Sequence, residues 1–361
     1  MRIALFAASF TPSLGGVERF VEVLADWLSG AGHEVKVLTP TIGGDDSRLA
    51  YEVVRRPSLS KMVAAVRWAD VVHVKSLSTK AALAGLLGAK TAVVTHSQHQ
   101  AICPTQAAWS ESGPCSAGPA PGPCPVCPHR GVRARCHLWR QRSSALAAKK
   151  NVCISDYLLQ RLGLPRSVVV FNPVEPRAFR TQSQPDAGTP TVAFAGRLSP
   201  TKGLDVLIEA LARLDDVRLE VAGTGPDQLR CQQLASALGV ADRVGFLGRA
   251  SFDGVAELYG RANVVCVPSV WQEPFGYAAA EAMAMGCAVV GTPSGALPEL
   301  LAKGRGFVSG SFSPVDLAET LRAALSDPAA CRIAGSEARR FASEELSVDV
   351  VGERYVELYR G

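Results

Sequence analysis

Residues 262–299 read ANVVCVPSVWQEPFGYAAAEAMAMGCAVVGTPSGALPE, and the order of residue types in this stretch decides the fold. ANVVCVPS is a short, continuous apolar run of the kind that forms a strand buried on both faces, and CAVVGTP is a second one. The Ala- and Met-rich segment between them reads as a helix, approached through Pro274 and Gly276. Strand, helix and strand joined by short loops make a parallel βαβ unit.

The same rhythm continues on both sides. Upstream lie TVAFAGRLS, GLDVLIEALARL, VRLEVAG, PDQLRCQQLASALG, RVGFLG and GVAELYGRA, and downstream lies GRGFVSG. The first half repeats the pattern. Arg2–Ala8 is an apolar strand, and Val17, Phe20, Val21, Leu24 and Leu28 have helical spacing. GHEVKVLTP, ADVVHVKS, AKTAVVTHS, NVCIS and SVVVFNP supply further strands. Between the halves, the polar, Pro-rich run from Pro173 to Pro190 predicts an interdomain linker. The expected fold is α/β, with two Rossmann-like doubly wound parallel-sheet domains over 1–172 and 190–345. Such sheets bind ligands beyond the carboxyl ends of their strands, so a cleft between two facing sheets is the expected site.

Composition narrows the class. Of 361 residues, 38 are Lys or Arg and 33 Asp or Glu, and 47% are hydrophobic. This excludes a disordered chain, and a net charge of +5 spread over this length gives no nucleic-acid footprint. MRIALFAAS is followed by FTPSLGG rather than by a small-residue cleavage site, so a buried first strand is expected. No stretch of 18 uncharged apolar residues occurs. Five of the ten cysteines (Cys153, Cys231, Cys266, Cys287, Cys331) are scattered singly, several within apolar runs. Scattered buried cysteines indicate a reducing compartment, and the expected location is cytoplasmic.

Several residues carry candidate chemistry. Glu273 stands in the loop after a strand, and Glu281 about one turn into the helix that begins near Tyr277. Gly276 lets backbone N–H groups approach an anion, and the positive end of the helix would face a diphosphate. A carboxylate at Glu281 can accept two vicinal hydroxyls, as a ribose offers. Alone, the two acids fit a plain helix-start loop equally well; the whole string does not. Arg197 and Lys202 follow the strand TVAFAG, and two cations suit a leaving group on which negative charge builds. Gly15 and Gly16 follow the first strand and allow close backbone approach to a phosphate or an acceptor. SLGGVE is not a G-x-G-x-x-G string, and VAGTGP is too short for one, so hydride transfer is a weak reading. His96 ends the strand KTAVVTH; His99 is near it without a comparable pattern.

In combination, GGVE (15–18), GHEV (32–35), VVTHS (93–97), FAGRLSPTKG (194–203), VAGTGP (221–226), FLG (246–248) and PS..QEPFG…EAMA.G (268–286) resemble the retaining glycosyltransferases of family 4, which have the GT-B fold. The likeness runs through nearly the whole chain. It implies transfer of a sugar from a nucleoside-diphosphate donor, the base uridine or guanosine foremost, to a hydroxyl acceptor: a lipid-linked glycan, a polysaccharide or a small natural product. It places Arg197 and Lys202 at the diphosphate, Glu273 by the transferred sugar and Glu281 at the ribose. Pro274, Phe275, Gly276 and Tyr277 form the donor loop, and His96 sits beside the donor sugar. It further implies catalysis without a cofactor, and a last helix, 346–361, that packs back on the first domain. An epimerase or phosphorylase of the same fold, or a silent sugar-nucleotide-binding subunit, are the alternative readings.

One region departs from the simplest members. Residues 101–136 are rich in Pro, Gly and Cys and read as an inserted loop. Its spacing is C-x11-C-x8-C-x2-C-x8-C. Cys115, Cys124, Cys127 and Cys136 could hold a structural zinc, with Cys103 spare or replacing one of them. Free thiols, disulfides and an iron–sulfur site remain open. The loop is expected to shape acceptor recognition. No acid occurs from Ser112 to Ser155, whereas Arg130, Arg133, Arg135, Arg140, Arg142, Lys149 and Lys150 do. This is either a solvated helix face or a surface for an anionic membrane or a phosphorylated acceptor, which would put the chain at the inner face of the membrane.

Overall fold

The central apolar runs fold as parallel strands because helices of their own unit bury them on both faces. The computed structural model describes residues 1–12, 15–75, 91–103, 109–110, 113–114, 132–186 and 188–361. It divides into two units, Met1–Pro173 together with Ser347–Gly361, and Val174–Leu346.

In the first unit, seven strands form one parallel sheet: β1 (Arg2–Ala7), β2 (Glu34–Thr39), β3 (Glu52–Arg55), β4 (Val71–Lys75), β5 (Thr91–His96), β8 (Lys150–Cys153) and β9 (Ser167–Val169). β6 (Trp109–Ser110) and β7 (Gly113–Pro114) pair separately. The order β3-β2-β1-β4-β5-β8-β9 places the reversal of strand order between β1 and β4. Ile3, Leu5, Val37, Val71 and Val93 pack with Phe20, Leu24 and Leu28 of the helix Gly16–Gly30. Each large apolar side chain removed from water here contributes about 1.5–3 kcal/mol. Val351, Tyr355 and Tyr359 of the last helix, Val348–Arg360, join this core. That approach requires a glycine, because a Cβ on Gly352 would lie 2.3 Å from Cε3 of Trp27. The Trp27 indole donates to Asp349 at 2.7 Å.

The second unit repeats the plan with six strands: β10 (Thr191–Ala195), β11 (Arg218–Ala222), β12 (Val244–Gly248), β13 (Val264–Val267), β14 (Val289–Gly291) and β15 (Phe307–Val308). Their order is β12-β11-β10-β13-β14-β15, all parallel, so strand order reverses between β10 and β13. Both units therefore are Rossmann-like sheets, as expected. The glycines of VAGTGP prove to be packing residues. Their loop lies so close to the one after β10 that a Cβ on Gly223 would stand 1.9 Å from the Gly196 carbonyl oxygen, and one on Gly225 2.1 Å from that of Leu198.

Three local readings change. β3 is a half-buried edge strand whose charged flanks hide it in the sequence. The helix Val132–Ala147 begins inside the stretch 101–136 expected as loop, and places Cys136 on its exposed surface. The polar run 173–190 does not hang free. Ser183 N–H donates to Met285 O (2.9 Å), Gln184 to Gly260 (2.7 Å) and Asp186 to Arg261 (3.0 Å). The Arg339 guanidinium ties Phe179, Thr181 and Ala284 carbonyls together.

Candidate active site

The second unit gathers its charged residues where β10 and β13 end, the switch point at which such sheets bind ligands. After β13, Pro268–Gly276 forms a loop, and its Glu273 is buried (5% exposed). The Glu273 carboxylate accepts from the Lys202 ammonium and, at 2.8 Å, from the Ser269 hydroxyl. Burial pushes this carboxyl up, but the Lys202 charge and the hydrogen bonds of Lys202 and Ser269 outweigh it. Glu273 is held below the usual carboxylate range and is an anion at neutral pH.

Its backbone is fixed as firmly. The loop 292–296 runs beneath, with Ala296 N–H donating to Glu273 O at 2.8 Å and Ser294 Oγ accepting from Glu273 N–H at 3.3 Å. Gly295 has φ +54°, and a Cβ there would stand 2.1 Å from the Glu273 carbonyl oxygen. Thr292 donates to Ser269 O at 2.5 Å. These residues belong to the 262–299 stretch, yet only the folded chain reveals them as the support of Glu273.

Lys202 ends the short 3₁₀ turn Pro200–Lys202, which Gly203 (φ +66°) closes. A Cβ on Gly203 would collide with Pro268 O at 2.0 Å, so a glycine here lets the lysine turn lie against the glutamate loop. The Lys202 ammonium is also 5.3 Å from the Trp271 ring centroid. Arg197 follows β10 and is exposed, and it makes no ion pair among the described residues. The helix Tyr277–Ala284 begins at Tyr277, capped by Gly276 in the left-handed region (φ 98°), where a Cβ would press on Leu297 at 2.7 Å. Pro274 and Phe275 are buried in its approach, and Phe275 meets the Tyr277 ring edge-on at 5.2 Å. Glu281 is the fifth residue of the helix and is buried (8% exposed). A held Lys202, an exposed Arg197, an ionised carboxylate and a helix N-terminus can together hold an anion and a polyhydroxylated group.

In the first unit, Gly15 and Gly16 are exposed at the start of the helix Gly16–Gly30, and the Gly15 backbone is extended. His96 closes β5 and is fully buried. Its Nε2 lies 2.8 Å from Asn151 Oδ1, and its pKa is pushed down to about 4 by burial, which outweighs the Asn151 bond, and by the nearby Lys75. The sequence reading passed over Lys75 at the end of β4. Its ammonium nitrogen is fully buried, 3.0 Å from Asn172 Oδ1 and 3.3 Å from the Phe20 ring centroid, and burial lowers its pKa far below the usual value. Beside it, His73 bonds Tyr359 OH and Thr95 Oγ1, each at 2.7 Å, and Thr95 bonds Tyr355 OH at 3.0 Å. This buried network fastens the last helix to the sheet. His99 bonds Tyr157 OH at 3.0 Å.

Of the four candidate zinc ligands, Cys115, Cys124 and Cys127 lie outside the described residues. Cys136 is exposed, and no group of three or more metal-ligating side chains occurs among the described residues. No helix of the described residues is long and apolar enough to cross a membrane.

Residues 176–341 match the family model described as glycosyl transferases group 1. Among curated proteins, the D-inositol 3-phosphate glycosyltransferase of Mycolicibacterium vanbaalenii is 38% identical over 180 residues, 45% of this chain and 39% of that protein. The counterpart from Mycobacteroides abscessus is 40% identical over 141 residues, 38% of this chain and 32% of that protein. The chain thus spans about two fifths or less of the length of these relatives. Among solved structures, Anabaena HepE in complex with UDP superposes with a TM-score of 0.78 at 21% identity, covering 99% of both chains. Sucrose-phosphate synthase from Thermosynechococcus elongatus does so with 0.77 at 19% identity, covering 99% of this chain and 98% of that one. Residues 176–341 therefore carry a glycosyltransferase group 1 domain, and the chain has the two Rossmann-like units of the GT-B structures it matches.

Proposed function

We propose that the chain is a retaining, metal-independent glycosyltransferase that moves a sugar from a nucleoside-diphosphate donor to a hydroxyl acceptor. One observation carries this reading. An ionised, buried Glu273 is bonded to Lys202 beside the switch point of the second unit, within the part that matches the glycosyl transferases group 1 model. The HepE structure holds UDP, which supports a uridine donor.

In this reading Arg197 and Lys202 bind the diphosphate. As the bond from the anomeric carbon to the β-phosphate oxygen breaks, negative charge grows on the leaving group, and the two cations, Lys202 held in place by Glu273, stabilise it. They take the part a divalent metal has in metal-dependent transfer. Lys202 has three donors, so it can keep Glu273 while also reaching a phosphate oxygen. The Glu273 carboxylate accepts hydrogen bonds from the transferred sugar's hydroxyls, and Glu281 accepts from the ribose. The acceptor oxygen bonds to the anomeric carbon on the face the leaving group departs from, and its proton passes to the departing phosphate oxygen. Configuration is retained with no covalent nucleophile; positioning and electrostatics supply the rate. His96 is assigned to the sugar, and Gly15 and Gly16 to the acceptor side.

Three further parts of the reading concern partners. The acceptor is a lipid-linked glycan, a polysaccharide or a small natural product. The acid-free helix Val132–Ala147 exposes Val132, Trp139 and Leu146, at seven-residue spacing, and its sequence also carries Arg133, Arg135, Arg140 and Arg142. Cationic and aromatic residues together suit an anionic bilayer surface, so pelleting with anionic liposomes, lost at high salt, is expected. Cys115, Cys124, Cys127 and Cys136 are proposed to hold one structural zinc, which elemental analysis of the purified chain reads directly. The donor is tested by thermal shift against UDP-, GDP-, ADP- and dTDP-sugars. A donor at a hundred times its Kd should stabilise by about 2.7 kcal/mol, and no response to any of them would count against the reading.

A further inference from the structure

His96 carries an unusual combination: it is fully buried, only one of its ring nitrogens is bonded, and the bonding partner has no freedom. Its Nδ1 is buried without a hydrogen-bond partner among the described residues. A buried polar atom left unpaired costs about 1–3 kcal/mol, so its persistence requires a reason.

The partner is Asn151, the second residue of β8 and itself fully buried. Its Nδ2 donates to two backbone carbonyls, Ala145 O and Pro165 O, both at 2.9 Å. A carbonyl only accepts, so both amide hydrogens are committed and the side chain cannot be turned over. Turning it would set Oδ1 against two carbonyl oxygens. Oδ1 therefore faces His96, and an amide oxygen also only accepts. The hydrogen between them must belong to His96 Nε2. Burial keeps this imidazole neutral down to about pH 4, and a neutral imidazole carries one hydrogen. Nδ1 is consequently a bare lone pair.

We infer that Asn151 is a positioning residue that locks His96 as the neutral Nε2–H tautomer and reserves Nδ1 to accept a hydrogen bond from a ligand hydroxyl. The hydroxyl's source rests on the glycosyltransferase reading; the tautomer does not. The lock determines what His96 can do. It cannot act as a cation toward phosphate, and it cannot donate from Nδ1. It discriminates in favour of a neutral O–H and against an anionic oxygen, which would meet the lone pair with like charge. Lys75 acts in the same direction, since its proximity further disfavours the imidazolium. Cys153, opposite His96 across the sheet, is held neutral by burial.

The test is ¹⁵N-edited NMR of the histidine rings in the whole chain, with the His96 signal assigned by its loss in His96→Gln. The wild type should show one Nε2–H tautomer with unprotonated Nδ1, unchanged from neutral pH down toward pH 4. Asn151→Ala should release it, giving mixed tautomers and, with the raising Asn151 bond gone, a pKa no higher than the wild type's. Asn151→Asp, a carboxylate against the ring, should instead raise the pKa. An Nδ1–H tautomer or a charged ring at neutral pH in the wild type overturns the inference. An unchanged pure Nε2–H spectrum in folded Asn151→Ala does so too. Should the variants not fold, the wild-type spectrum still decides. Adding UDP-glucose to the wild type should move the Nδ1 signal; if the tautomer is as stated and Nδ1 stays still with every nucleotide sugar of the panel, the donor assignment fails while the lock stands.

Discussion

Replacing Lys202 by Ala should destabilise the second unit in a way that reverses its response to acid. Glu273 is buried and ionised because Lys202 sits against it. Removing one partner of a buried ion pair costs about 3–5 kcal/mol, because the other charge is left without compensation. Lys202 is itself 29% exposed, so water partly replaces it, and the Ser269 bond remains. We therefore expect about 2–3 kcal/mol at neutral pH, or roughly 4–12 °C in Tm for a unit of this size. The sign of the pH effect is the sharper part. In the wild type the folded pKa of Glu273 lies below its unfolded value, so its contribution is present above the unfolded pKa and is lost as pH falls through the folded one. In Lys202→Ala burial acts unopposed by the ammonium, the folded pKa rises above the unfolded one, and acidification from neutral pH relieves the strain. Urea unfolding of both proteins across the mildly acid range measures the difference directly. The gap between them should narrow as pH falls, and Lys202→Ala with Glu273→Gln should recover most of the loss at neutral pH. A neutral-pH midpoint equal to the wild type's, or a gap that widens with acid, would refute the electrostatic reasoning.

Other outcomes follow from single contacts. Gly295→Ala should both strain a left-handed residue and drive a methyl into the Glu273 carbonyl, costing more than about 1 kcal/mol and abolishing donor-induced stabilisation, read by melting with and without nucleotide sugar. Gly352→Ala should push the last helix off Trp27, and limited proteolysis should then release the C-terminal peptide. His96 takes its proton near pH 4 when folded and near pH 6.5 when unfolded, so stability should fall across that window by roughly 3 kcal/mol from this group, and His96→Gln should flatten that part of the stability–pH curve in denaturant titrations. Glu273→Ala should leave a folded protein with no detectable transfer in a coupled assay for released nucleoside diphosphate.

The alternation of apolar strands and helices was legible because parallel sheets buried on both faces write continuous runs such as VVCV and FAGR's preceding TVAFA into the chain. Glu273, Lys202 and Gly276 were legible because charge and glycine sit where apolar runs stop. What stayed hidden depends on distant partners. Lys75 looks like any surface lysine at the end of ADVVHVKS, and only Asn172, 97 residues away, and Phe20 account for its burial. Asn151 does stand out in the apolar NVCIS, and a polar residue in a buried run must be satisfied; which atoms satisfy it is set by Ala145, Pro165 and His96 together. The edge strand β3 was missed because YEVVRR has too little apolar length. The polar segment after Pro173 read as linker because its bonds to residues 260, 261 and 285 use backbone atoms, which leave no mark in composition.

Arg197 and Lys202, at the strand ends of the second unit, are proposed to hold a nucleoside diphosphate. Calorimetric titration of UDP into the wild type and Arg197→Ala tests it most directly, since exposed Arg197 can be removed without disturbing the core. One charged hydrogen bond contributes about 1.5–3 kcal/mol, so binding by the wild type and a weakening of roughly tenfold to a hundredfold or more in the variant are predicted. Equal affinity in the two proteins, or no binding of UDP, GDP, ADP or dTDP to the wild type, would contradict it.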